Sequence, residues 1–134
     1  MTASTLVTMN EYLRTSYRPD VEYIDGELRE KDGILRERSA RVQWIHSRLQ
    51  VMISAWFDQH EEEWGVLTGV EARTQVSASR VRLPDVVVVK AGPHPQTLVE
   101  PPLIVVEVLS PDDTYAEIER RAQDYLHMGL SMSG

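Results

Sequence analysis

Two acidic residues lie in parts of the sequence that are otherwise strongly apolar. Asp85 is followed directly by the four valines of residues 86–89, and Glu107 lies between the apolar runs 103–106 and 108–109. Continuous apolar runs of this length are typical of strands that are covered on both faces. A carboxylate in such a strand is costly unless it is paired, protonated or bound to a metal. These two acids are therefore the first candidates for chemistry.

The spacing of the two acids predicts that they face each other. Asp85 and Glu107 each lie eleven residues from Gln96, the centre of the proline-rich loop 91–102. If the flanking strands form an antiparallel pair, the two side chains are opposite each other, about 5 Å apart at Cβ. Two carboxylates at that distance repel each other, and a divalent cation such as magnesium or manganese would keep both ionised. Without metal, replacing Asp85 by Asn would relieve the repulsion and stabilise the chain.

The residues by themselves leave a second interpretation open. Asp85 could form part of a turn after Pro84, and Glu107 could form a structural ion pair with Arg82 or Arg121. In that case neither acid takes part in chemistry.

Composition limits the class of protein. The 134 residues are 42% hydrophobic and 26% charged, which predicts a single globular domain over residues 1–134. No apolar run approaches the roughly 18 residues of a membrane helix, and no secretory signal is visible. The absence of cysteine excludes disulfides and thiol catalysis and is compatible with a cytoplasmic protein, which is the default expectation. A net charge of −7 argues against a protein that coats nucleic acid, but not against an enzyme with a local basic groove.

Periodicity and turn signals predict the elements that position the two acids. Thr8 and Glu11 have capping-box spacing for a short helix to about residue 14, and Asp25-Gly26 predicts a β-hairpin. Ser39 is the expected N-cap of a long helix to about residue 59, with one buried apolar face. The remaining elements are strands near 64–76, 81–90 and 103–109 and a helix over 115–127.

Several stretches resemble the Uma-two family of restriction-endonuclease-like proteins, within the PD-(D/E)XK nuclease superfamily. They are Arg82-Leu83-Pro84-Asp85-Val86, Val105-Val106-Glu107-Val108-Leu109-Ser110-Pro111, residues 8–13, residues 22–28, and Asp124-Tyr125 before Gly129. The resemblance implies an α/β (α+β) fold, with a mixed, mainly antiparallel sheet flanked by helices and an added N-terminal helix and hairpin. Family members continue with a further strand where this sequence ends, so the last core strand is expected to be missing.

The resemblance also assigns the residues of a magnesium- or manganese-dependent nuclease site. Asp85 and Glu107 correspond to the metal-binding acids, and the backbone carbonyl of Val108 to a third ligand. The superfamily's lysine often follows the second acid by two residues, where this chain has Leu109. Uma-two proteins place it on the next helix instead, where this chain has Arg121. Arginine can bind a phosphate with two hydrogen bonds but is a poor general base.

Further residues are weaker candidates for the site. Glu22 matches an acidic family position and either supports the site or is an exposed strand residue. Arg41, Arg73 and Arg82 could line a groove that binds phosphates, although a surface role is open for each. His46 is predicted to pack in the long helix or lie at the surface.

Two functions remain at this stage. The first is a divalent-metal-dependent endonuclease or related phosphodiesterase acting on DNA. The second is a catalytically degenerate relative that binds nucleic acid or acts as a dimeric accessory protein.

A homodimer is expected because a missing strand would leave an open sheet edge and because large apolar residues are abundant. These residues are Trp44, Trp56, Phe57, Trp64, Val66 and Leu67. The alternative is a monomer whose segment 8–30 covers the edge.

Overall fold

The computed structural model describes residues 6–31, 40–111 and 113–129, which form four helices and seven strands. The helices are α1 (Met9–Leu13), α2 (Ala40–Asp58), α3 (Glu61–Trp64) and α4 (Tyr115–His127). The strands are β1 (Glu22–Ile24), β2 (Glu27–Arg29), β3 (Val66–Val70), β4 (Thr74–Ser77), β5 (Arg80–Arg82), β6 (Val86–Lys90) and β7 (Ile104–Val106). In this part of the chain, no helix is both long and apolar enough to cross a membrane.

Helix ends follow local sequence signals. The hydroxyl of Thr8 accepts a hydrogen bond from the backbone N–H of Glu11 at 3.1 Å, which begins α1 as predicted. Thr114 caps α4 in the same way through the N–H of Glu117, at 3.2 Å. The predicted N-cap Ser39 lies outside the described residues.

The strands form two open sheets, one in the order β2-β1-β5-β4 and the other in the order β3-β6-β7. The predicted strand 81–90 is therefore divided, and the chain passes from the first sheet to the second at residues 83–85. Pro84 lies at this crossing, because it has no N–H to donate to a strand ladder. The predicted strand 64–76 is divided as well, since Glu71 adopts a left-handed conformation with φ of 51° between β3 and β4.

The register between β6 and β7 is the predicted one. Val86 pairs with Val106 and Val88 with Ile104, which centres the pair on Gln96. One step further along the ladder, Asp85 is opposite Glu107. Strand β7 ends at Val106 rather than at residue 109, so both acids lie just beyond the paired residues.

The hairpin brings a third acid close to this crossing. Asp25 and Gly26 both have positive φ, 51° and 94°, as a two-residue hairpin turn requires. Strand β1 pairs with β5 through Tyr23 and Val81, and all of β1 is buried. Glu22 is consequently held inside the first sheet, next to Arg82.

Helix α2 does not bury the apolar face that its periodicity predicts. No residue within 40–58 is buried, although α2 lies against β3 and β6. Its apolar stripe remains 42–58% exposed at Ile45, Leu49, Met52 and Trp56. The amphipathic pattern was correct, but it does not specify what covers the apolar side.

Candidate functional site

Asp85 and Glu107 converge on one ammonium group. Lys31, which follows β2, places its Nζ atom 3.0 Å from Oδ1 of Asp85 and 3.1 Å from Oε2 of Glu107. The same Nζ atom donates a hydrogen bond to the carbonyl of Leu83. Only 7% of the Lys31 side chain is exposed. The predicted convergence of the two acids is confirmed, and the group between them is the Lys31 ammonium.

The Asp85 carboxylate is held from several sides. Its Oδ2 atom accepts the backbone N–H of Val108 at 2.6 Å and lies 3.6 Å from Nε2 of His46. The side-chain amide of Gln50 donates to the Asp85 carbonyl at 2.9 Å. Burial raises the pKa of Asp85, but His46, Lys31 and the N–H of Val108 outweigh burial and lower that pKa to about 2.

Glu107 is the more easily protonated of the two acids. Burial is the largest influence on its pKa and raises it, and the charge of Asp85 raises it further, against the opposing effect of Lys31 and Arg121. Its Oε1 atom accepts a hydrogen bond from the hydroxyl of Tyr125 at 2.9 Å and lies 3.8 Å from Nη1 of Arg121.

Lys31 remains an ammonium ion in this setting. Burial alone would lower its pKa, but the charges of Glu107 and Asp85 outweigh burial, so the pKa of Lys31 is raised above its ordinary value. The three groups face a cleft of about 240 Å³. Its lining includes Glu22, Lys31, His46, Asp85, Glu107 and Arg121.

Glu22 forms part of the cleft wall rather than an exposed strand surface. Its side chain is 2% exposed and accepts two hydrogen bonds from Arg121, at 2.8 and 2.6 Å. The N–H of Leu83 and the guanidinium of Arg82 donate to the same carboxylate, at 2.8 and 3.2 Å. Glu22 therefore fixes Arg121 beside Glu107, at the wall of the cleft.

Arg82 and Arg41 do not form the predicted phosphate-binding groove. Arg82 is 5% exposed, and its guanidinium lies between Glu22 and Asp124, 2.7 Å from the latter. Buried carboxylates occupy both sides of the guanidinium. Arg82 is therefore a structural residue, and its prediction as a nucleic-acid contact was wrong. Arg41 is exposed at the start of α2 and does not line the cleft.

Arg73 is also a structural residue instead of a nucleic-acid contact. Its guanidinium binds both oxygens of Asp20 at 2.8 Å and donates to the carbonyls of Tyr12 and Thr15. It also lies 4.1 Å from the centre of the Tyr12 ring. These contacts attach α1 to the start of β4.

Replacing Arg73 by Ala is expected to reduce the free energy of unfolding by about 3 kcal/mol, because a mostly buried charge pair loses one partner. Urea unfolding measures this change. Arg14→Ala provides the control, since Arg14 is exposed and donates one long hydrogen bond of 3.3 Å. If the Arg73→Ala protein is as stable as the wild type but binds DNA more weakly, Arg73 is a nucleic-acid contact and not a structural residue.

The donor atoms around Asp85 and Glu107 fit a hydrated magnesium ion. In the described residues, no three His, Cys, Asp or Glu side chains are grouped to hold a metal. Magnesium needs fewer than three such side chains, because it commonly binds one or two carboxylates and keeps several waters. Oδ1 of Asp85 is buried and faces the Lys31 ammonium at 3.0 Å, whereas Oδ2 accepts a backbone N–H. Asp85, Glu107 and the Val108 carbonyl could therefore hold such an ion.

Sequence comparison assigns the chain to a family. A family model described as "Uma2: Putative restriction endonuclease" matches residues 9–132. The chain belongs to the Uma2 family. No curated protein matches the sequence.

A solved structure has a similar fold. It is the crystal structure of "a putative nuclease belonging to DUF820" from Anabaena variabilis, which superposes with a TM-score of 0.72 at 20% sequence identity. The match covers 94% of this chain and 71% of that one. The similarity confirms the predicted mixed fold of antiparallel sheets flanked by helices.

Sequence reasoning missed two residues of this cleft. Lys31 is one of only two lysines in the chain, and a lone lysine after a hairpin gives no indication of its partners. His46 was assigned to packing or the surface, but its Nε2 atom lies 3.1 Å from the Val108 carbonyl. The sequence contained one indication for His46: the polar residue Gln50 lies four residues later, on the same helix face. In the structure Gln50 also contacts Asp85, through the Asp85 carbonyl.

Proposed function

We propose that this Uma2 protein is a divalent-cation-dependent phosphodiesterase that cuts DNA, with magnesium as its cofactor and manganese as a substitute. One observation carries the proposal: the carboxylates of Asp85 and Glu107, at the ends of neighbouring strands, meet around a single positive charge in an open cleft. Family membership supports a nuclease, and the site chemistry favours the finer assignment.

Phosphodiester hydrolysis needs an activated water and positive charge near the phosphate. Magnesium, when bound, lowers the pKa of its water and balances charge on the phosphate. Asp85 and Glu107 would hold the ion, and the Val108 N–H keeps Asp85 in its orientation. Arg121 supplies a fixed guanidinium for the phosphate, since Glu22 binds it through two hydrogen bonds. Glu22 and the negative charge of Glu107 outweigh burial and raise the pKa of Arg121, so it acts through charge and not as a base.

A plasmid-nicking assay tests the proposed activity. The wild-type protein is expected to nick DNA with magnesium or manganese and to stop when EDTA is added. Glu107→Gln should reduce the rate by about 10³-fold, because it removes one ligand charge. Glu119→Gln, on the exposed side of α4, should cut normally. Cleavage that persists in EDTA, or that is equal in Glu107→Gln, would refute the proposed mechanism.

A second function has support in the same geometry. Lys31 neutralises part of the charge of both acids without any metal, and Arg121 stands where the family has a lysine. Both features suit a degenerate nuclease that binds nucleic acid or assists a partner without cutting. DNA binding by the wild type without cleavage in the presence of manganese would favour this alternative.

We also propose that the protein is a homodimer that buries the apolar stripe of α2. Contiguous apolar surface of this kind marks an interaction site, and two-fold association is its commonest use. Leu67 and Trp64 add exposed apolar surface. Val66 is only 8% exposed, so it does not belong to the apolar surface predicted for the dimer.

Met52→Glu is expected to convert the dimer to a monomer, because it places a charge within the apolar stripe of α2. Light scattering across a hundredfold dilution should give about twice 15.3 kDa for the wild type and 15.3 kDa for the variant. Ser47→Glu, another exposed position on α2, is the control and should remain dimeric. A wild-type mass of 15.3 kDa at every concentration would contradict the proposal.

A further inference from the structure

We propose that Lys31 is the resident cation of this site and leaves it when a divalent cation binds, so that metal binding releases a lysine into the cleft. The inference rests on the proposed function, because it takes Asp85 and Glu107 as the metal ligands. Its starting observation is the position of Nζ, which contacts both carboxylates at 3.0 and 3.1 Å.

The oxygen atoms that a metal needs are the ones that Lys31 covers. Each carboxylate has one oxygen bound to a fixed donor. Oδ2 of Asp85 accepts the N–H of Val108, and Oε1 of Glu107 accepts the hydroxyl of Tyr125. The remaining oxygens, Oδ1 and Oε2, both face Nζ of Lys31. A cation bridging the two acids would use these oxygens and occupy the space of the ammonium.

Charge opposes joint occupancy of this space. Magnesium lies about 2 Å from its ligand oxygens, so an ammonium in its present position would be in close contact with the ion. Like charges at such short range repel strongly in buried surroundings, where screening by water is weak. Lys31 and the metal therefore exclude each other from the position between Asp85 and Glu107.

Lys31 is better able to move than Arg121, which also lines the cleft. Arg121 is bound by two hydrogen bonds to Glu22, whereas the ammonium of Lys31 is a point charge on a flexible four-carbon stem. Lys31 lines the same cleft, which gives the released side chain a place to go. There it would be available to a phosphate oxygen of the substrate.

The exchange also reverses the charge of the site. The two carboxylates and one ammonium together carry one negative charge, which disfavours a phosphate. With a divalent cation between the acids and Lys31 in the cleft, the same groups carry one positive charge. The site would thus attract nucleic acid only after metal has bound.

Chemical labelling of lysine tests the release directly. Lys31 and Lys90 are the only lysines of the chain, and Lys90 is exposed. Acetylation followed by peptide mass spectrometry should show slow labelling of Lys31 in EDTA and about tenfold faster labelling in saturating manganese. Lys90 is the internal control and should react at the same rate in both. In Asp85→Asn, manganese should leave the labelling of Lys31 unchanged.

Calorimetric titration with manganese supplies a second readout. Lys31→Met should bind manganese about tenfold more tightly than the wild type, because no resident cation has to leave. Lys90→Met is the matched control and should bind as the wild type does. Lys31→Gln replaces Lys31→Met if the latter fails to fold, and the labelling experiment needs no variant at this position.

The outcomes separate this inference from the proposed function. Manganese binding with Lys31 still protected, or weaker binding by Lys31→Met, would overturn the release of Lys31 and leave the metal site in place. Binding by Lys31→Met but not by the wild type would show that Lys31 blocks the site without leaving it, and would also overturn the release. If neither protein binds manganese, the metal site fails and the inference fails with it.

Discussion

Replacing Asp85 by Asn is expected to abolish metal-dependent cleavage and to weaken manganese binding by about a hundredfold or more, because the site loses one of its two ligand charges. Calorimetry and the nicking assay measure the two effects. Asp58→Asn, at the exposed end of α2, is the control and should behave as the wild type. Equal magnesium-induced shifts in the melting temperature of wild type and Asp85→Asn would show that Asp85 is not a ligand.

The same substitution should destabilise the metal-free protein, contrary to the expectation from like-charge repulsion alone. Lys31 compensates both acids, so the repulsion that Asn would relieve is already offset. The two oxygens of Asp85 face two donors, Lys31 and the N–H of Val108. The NH₂ group of Asn would have to face one of them.

We expect the free energy of unfolding of Asp85→Asn in EDTA to fall by about 3 kcal/mol, since a buried cation loses one of its partners. Urea unfolding measures this change. A variant more stable than the wild type in EDTA would restore the interpretation based on repulsion.

Glu22→Gln is expected to reduce the free energy of unfolding by about 4 kcal/mol, because two guanidinium groups lose a shared buried carboxylate. Glu22 is 2% exposed and contacts Arg82 and Arg121. Urea unfolding gives the magnitude. Glu27→Gln is the matched control in the same hairpin, since Glu27 is 45% exposed and its pair with Arg29 should contribute little.

A double-mutant cycle with Arg121→Met shows whether the loss comes from this pair. Arg121→Met should cost much less in the Glu22→Gln background than in the wild type, because the buried partner is already gone. Additive effects of the two substitutions would contradict the role of Glu22 in holding Arg121.

The sequence by itself determined the local elements and the pairing of the two acids. Caps at Thr8 and Thr114 and the turn at Asp25-Gly26 are specified by neighbouring residues, because each depends on hydrogen bonds or backbone angles within a few positions. Two apolar strands at equal distances from one loop fixed the register that brings Asp85 opposite Glu107.

Only the tertiary structure decided which charged groups meet. Lys31 is 54 residues from Asp85 in the chain, and Glu22 is 99 residues from Arg121. With 14 basic and 21 acidic residues, many pairings satisfy the same composition. The choice of ion-pair partners depends on where the chain passes from the first sheet to the second. This passage is the point at which the predicted strand 81–90 is divided.

The same reason explains the errors at Arg73, Arg82 and α2. Arginine has the same side chain whether it binds phosphate or a buried carboxylate, so its type alone cannot distinguish Asp20 or Asp124 from a nucleic acid. An apolar stripe specifies a face that avoids water but not the surface that covers it. Periodicity and turns act over a few residues and can be read from the chain, whereas burial and ion pairing arise only when distant segments pack together.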